Sequence, residues 1–155
     1  MTTRADDPRI PVNSAILGYG PMLPLVAAAL AAWSAPSVAP LALRLAAIWG
    51  ALVLCFIGGV RRGFGFALDR ASTASEIASS TTYFTLAGLA LVAPYPDLAL
   101  AVLAGGFLFA AWADRRAALR GNAPAHFARL RPPQMLMGSV ALAALWAWVY
   151  WGERL

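Results

Sequence analysis

Lysine is absent from this chain of 155 residues, and all twelve of its basic residues are arginine. With abundant alanine, that usage points to a GC-rich bacterial genome. Charge of either sign is scarce: 12% of residues are charged, where a soluble domain has about a quarter. Cysteine occurs once, at Cys55 inside an apolar run, which excludes an internal disulfide, a CxxC redox pair and a multi-thiolate metal site. Histidine also occurs once, at His126, which excludes a bis-histidine haem within one chain. Without lysine there is no Walker motif, and neither "GYG" at 18–20 nor "GFG" at 63–65 has the third glycine of a dinucleotide loop. No two carboxylates fall in one apolar stretch, so the sequence gives no support to a relay of paired acids. Met135 and Met137 have no further soft ligand and read as packing residues rather than a copper site. The sequence therefore assigns no catalytic residue, no cofactor and no metal.

What is present is apolar surface. Hydrophobic residues make up 61% of the chain. That composition, with charges gathered at a few places, specifies a polytopic membrane protein. A spanning helix needs about 20 mostly apolar residues. Five segments meet or approach this, at about 15–33, 41–60 (with a possible run to 68), 74–93, 98–113 and 133–151. The expected fold is all-α, a compact five-helix bundle over residues 15–151, with a tail at 1–14 and an arginine-rich loop at 114–132. Arg4 and Arg9 ahead of the first run resemble a signal peptide. However, Asp6 and Asp7 offset their charge, and the run is longer than the roughly 7–15 residues of a signal h-region. The first segment is read as a retained span. Thr73 and Glu76 form the pattern of a capping box at the start of the third, and Pro132-Pro133 reads as the start of the fifth.

The arginines orient the chain. Arg4 and Arg9 lie before the first span, Arg61, Arg62 and Arg70 after the second, and Arg115, Arg116, Arg120, Arg129 and Arg131 after the fourth. In a five-span chain these ten lie on one side, leaving Arg44 and Arg154 on the other. The positive-inside rule then puts the N-terminus in the cytoplasm and the C-terminus outside. Trp146, Trp148, Tyr150 and Trp151 form an interfacial belt at the far end of the fifth span.

Three groups of residues are candidates for specific contacts. Arg61 and Arg62 interrupt an apolar run, and Asp114 lies at the same end, so a cross-helix contact of Asp114 with one of them is expected. Arg115, Arg116, Arg120, Arg129 and Arg131, interleaved with Leu119, Phe127 and Leu130, suggest docking to anionic lipid or to a protein partner rather than to nucleic acid. Ser75, Ser79, Thr82 and Thr85 place hydroxyls on the third span, where they serve as interhelix ties or line a polar path. Small-residue pairs at Ala46/Gly50, Ala101/Gly105 and Gly106/Ala110 predict close helix packing.

Four stretches, "LGYGPMLP" at 17–24, "GGVRRGFGFAL" at 58–68, "ADRR" at 113–116 and "PAHFARLR" at 124–131, occur in an order that resembles a known family. It is the small bacterial and mitochondrial inner-membrane family of unknown function that includes transmembrane protein 69. The resemblance implies five helices and no established activity. Relatives often have histidine or arginine followed by tryptophan where Arg61 and Arg62 stand, so no histidine chemistry carries over. The expected protein is a multi-pass, noncatalytic component of the bacterial inner membrane, structural or accessory to a larger complex. The alternatives are a transporter or channel component using the hydroxyl face, and a phosphate- or headgroup-binding subunit of a membrane enzyme.

Overall fold

A computed structural model of the chain describes residues 10–66, 71 and 73–152. Arg4, Arg9, Arg70 and Arg154, and the run as far as Leu68, lie outside the described residues. Among the described residues every regular element is helical. The first rod is α1 (Val12–Tyr19), a 3-10 turn over Gly20–Met22, and α2 (Leu23–Ser34). Pro21 and Pro24 are the reason for the break: neither has an N–H to bond back along an α-helix, and a tighter turn bridges the interruption. The single helix expected over 15–33 is therefore two.

A second 3-10 turn at Pro36–Val38 leads into α3 (Ala39–Phe66), whose 28 residues extend through Arg61-Arg62. At 1.5 Å per residue it is about 42 Å long, more than the roughly 30 Å hydrocarbon core. Gly58 does not end it. A Cβ there would come 3.2 Å from the Ser80 carbonyl, and the Ser80 hydroxyl donates to the Gly58 carbonyl at 2.8 Å. The glycine permits that close approach. α4 (Ala74–Val92) begins with the expected capping box: the Thr73 hydroxyl accepts from the Glu76 N–H, and the Glu76 carboxylate accepts from the Thr73 N–H.

α5 (Pro96–Leu119) continues beyond Ala113, where its end was expected, and stops at Gly121. Gly121 has φ +74°, and the N–H groups of Gly121 and Asn122 donate to the carbonyls of Ala118 and Ala117. This is a Schellman ending, and its left-handed residue favours glycine. α6 (Phe127–Trp151) starts before Pro132-Pro133 rather than at them. The prolines lie in its second turn, where each removes one backbone bond without ending the helix. The segment expected as a loop over 114–132 is thus helical at both ends, with only Arg120–His126 between.

The helices pack in a ring. α2 lies on α3, α3 on α4, α4 on α5 and α5 on α6, and α6 returns to α2, while α3 and α5 meet across the centre. The interior is apolar through most of its length, with Leu54, Leu100, Leu103, Phe107, Leu142 and Leu145 fully buried. Glycine brings the helices together. A Cβ on Gly106 would come 2.7 Å from Leu54, and one on Gly138 would come 2.7 Å from Phe107. Of the predicted small-residue pairs, Gly50 and Gly106 face neighbours, whereas a Cβ on Gly105 would meet nothing within 4 Å.

The outside is apolar as well, with Leu41, Leu52, Phe84, Leu108 and Val140 among the exposed side chains. Such continuous exposed grease suits lipid rather than water. Four rods are long and apolar enough to cross a membrane: Val12–Ser34, Pro36–Phe64, Pro96–Leu119 and Phe127–Trp151. α4, with Glu76 and its many hydroxyls, falls below that standard. At the end remote from Arg61, Trp146, Tyr150 and Trp151 are exposed and in ring contact, while Trp148 turns into the core. Tyr150 donates to Asp97 at 2.6 Å there, tying α6 to the start of α5.

Candidate functional site

Polar side chains concentrate at one end of the ring, where α3, α5 and the first rod end or begin beside the starts of α4 and α6. They form a buried network and a cavity next to it.

Asp114 is the centre of the network and is 2% exposed. Tyr83 on α4 donates to its Oδ1 at 2.9 Å. Arg131 on α6 places Nε 3.2 Å from its Oδ2, an ion pair without an aligned hydrogen bond. Arg131 also donates to the Gln134 side chain at 3.2 Å and stacks over the Phe127 ring at 4.5 Å. Gly18 of α1 sits against Gln134, where a Cβ would lie 3.3 Å from the amide oxygen. One carboxylate thus links α4, α5 and α6, and α1 seats on the result. A charge in such surroundings is tolerable only when paired and hydrogen-bonded. The arginine beside Asp114 is Arg131, not Arg61 or Arg62 as the sequence led us to expect. Arg131, expected at the docking surface, is buried.

Arg61 also points inward, at 4% exposure. Its Nε donates to the Ser79 hydroxyl at 3.3 Å and its Nη1 to the Asn122 carbonyl at 2.9 Å. Ser79 in turn donates to the Ser75 carbonyl at 2.8 Å. Both of these hydrogen-bond partners of Arg61 are neutral, and no carboxylate among the described residues forms an ion pair with it. Arg62, about 100° around the helix, lies instead over the Phe66 ring at 4.4 Å, with Nη1 buried and without a hydrogen-bond partner. Arg115, Arg116, Arg120 and Arg129 are exposed, and Arg116 stacks on Trp112.

The cavity, about 340 Å³, opens between α4 and α5 beside Arg61. Arg61, Arg116, Arg120, Ser75 and Ser79 line its polar part, and Phe109 and Trp112 its apolar part. Of the hydroxyls expected to act together, Ser75, Ser79 and Thr82 line this cavity, whereas Thr85 is exposed elsewhere. Thr82 bonds back to its own helix at Ala78.

His126 borders the network. Its ring meets Phe127 edge-on, and its Nε2 is buried without a partner. Burial, with the Arg131 charge second, holds its imidazole below the ordinary histidine value. Among the described residues no group of three or more His, Cys, Asp or Glu could hold a metal ion.

Sequence reasoning missed Tyr83, Gln134 and Asn122. A signal existed for the first two. Tyr83 follows Ser79 by four residues and Gln134 follows Arg131 by three, so each pair shares a helix face. Asn122 acts through its backbone, for which its residue type carries no signal.

Residues 10–150 match the family described as proteins of unknown function (DUF3429), and the chain belongs to it. No curated protein and no solved structure matches the chain.

Proposed function

We propose that this protein is a noncatalytic, five-crossing component of the bacterial inner membrane, accessory to a larger complex. Its arginine-rich end faces the cytoplasm. The observation that carries this reading is the use made of the acids. All three described carboxylates are committed to holding helices: Glu76 in a cap, Asp97 to Tyr150 and Asp114 to Tyr83 and Arg131. None is left facing a reactive cleft, which favours a structural role over acid–base work. A polar path along α4 has less support, because the hydroxyl face gives way to the fully buried apolar residues Leu100, Leu103, Phe107, Leu142 and Leu145. α4 is the weakest span by composition, yet its 19 residues reach about 28 Å, close to the bilayer core. The resemblance of its four motifs to the family that includes transmembrane protein 69 fits the same architecture.

Extraction from cells in mild detergent at native expression tests the accessory role. The expected result is co-purification with stoichiometric protein partners, with the exposed Ala101/Gly105 seam of α5 protected from modification in the complex. Recovery of the chain as a lone monomer contradicts it.

A further inference from the structure

The cavity beside Arg61 has the composition of a ligand site. Three arginines line it, and no acidic side chain does among the described residues. Arg61 is the informative one. It is a nearly fully buried cation whose two partners, a hydroxyl and a carbonyl, are neutral. Burying a charge is costly unless it is paired. The two buried acids at this end are already engaged, Asp114 with Tyr83 and Arg131 and Glu76 in the cap of α4. Among the described residues Arg116 and Arg120 have no carboxylate partner either, and Arg116 stacks on Trp112. The cavity therefore presents an excess of positive charge, with the Ser75 hydroxyl near it.

Its walls are graded. Along α5 they run from Arg120 through Arg116 to Trp112 and Phe109, about 16 Å at 1.5 Å per residue. Polar groups line the end of the bundle, and aromatic ones line the part nearer its middle. That gradient suits an amphiphile, with its charged head among the guanidiniums and the start of its chain against the rings. Basic pockets between transmembrane helices bind phosphorylated lipid heads by this arrangement, and arginine is suited to phosphate because its fork presents paired donors.

We propose that this cavity binds a phosphate-bearing anion through Arg61, Arg116 and Arg120, and that the graded wall selects a phospholipid as its source. The phosphate site does not depend on which side of the membrane the cavity faces. Only the lipid source rests on the membrane reading above.

The test uses the full chain in phosphatidylcholine nanodiscs doped with phosphatidylglycerol, with bound lipid counted by native mass spectrometry. In parallel, inorganic phosphate is titrated against the detergent-solubilised protein. Arg61→Gln is the direct variant, but Arg61 is buried and the change can unfold the chain. The exposed pair Arg116→Gln/Arg120→Gln avoids this. Arg115→Gln/Arg129→Gln removes the same charge from outside the cavity. The expected result is one saturable phosphatidylglycerol per chain, weakened about tenfold by the cavity pair and less than about threefold by the control pair. Inorganic phosphate is expected not to displace it. Displacement by inorganic phosphate, with the same dependence on the cavity pair, keeps the site and assigns it a soluble phosphate instead. Equal weakening by the two pairs, or no saturable binding of either probe, overturns the proposal.

Discussion

At the scale of single residues, Asp114 decides more than any other polar group. It accepts from Tyr83 and pairs with Arg131, and it is itself buried. Asp114→Ala leaves Arg131 buried without its counter-charge, and loss of one partner from such a pair costs about 3–5 kcal/mol. Thermal unfolding in detergent should show that loss, and Asp114→Ala/Arg131→Met should recover most of it, because no isolated charge then remains. The sequence marked Asp114 as an acid at an arginine-rich end with Arg61 or Arg62 as its expected partner, whereas the ion pair is with Arg131. Position along a helix axis can be counted from residues, whereas the direction a side chain takes around the axis depends on packing. Arg131 was also misplaced by one specific error: Pro132-Pro133 was read as a helix start, which left Arg131 outside on a loop. Two prolines in a second turn remove backbone bonds, but they do not end a helix whose first turn is already anchored at His126.

At the scale of elements, the breaks in the helices are explained by proline and glycine, and each was only partly legible. The capping box of α4 could be read directly, because Thr73 and Glu76 carry the whole motif in their side chains. The end of α5 could not. "DRR" looks like a polar terminus, yet the helix continues to the glycine that can take a left-handed backbone, Gly121. That ending also places the Asn122 carbonyl against Arg61. Gly121→Ala forces an L-residue into φ +74°, at a cost of about 1–2 kcal/mol. Gly63→Ala, at an exposed helical position with nothing within 4 Å of the new Cβ, should be neutral or slightly stabilising. Comparing the two melting temperatures separates backbone strain from the general effect of adding a methyl group. In α3, Gly58-Gly59 invited an early end, but Gly58 is there to let Ser80 approach.

At the scale of the whole molecule, an all-helical membrane protein was the most legible feature, because composition and run length alone specify it. Four rods carry that signal fully. α4 carries it weakly, since it contains Glu76 and several hydroxyl side chains. The ring closure of α6 on α2 was not legible, because it depends on small residues whose partners are remote in sequence. Gly138 against Met22, in the turn that leads into α2, is one instance. Our account treats the arginine-rich end as cytoplasmic and α4 as a true crossing, which places its two ends on opposite sides of the membrane. Site-directed cysteine labelling tests this most directly. With Cys55 replaced by alanine, single cysteines at Ala71, Ala123, Ser37 and Tyr95 are probed in intact cells with an impermeant thiol reagent. The account predicts labelling at 37 and 95 in intact cells, and at 71 and 123 only after the membrane is opened. Labelling of 71 and 95 from the same side would contradict it.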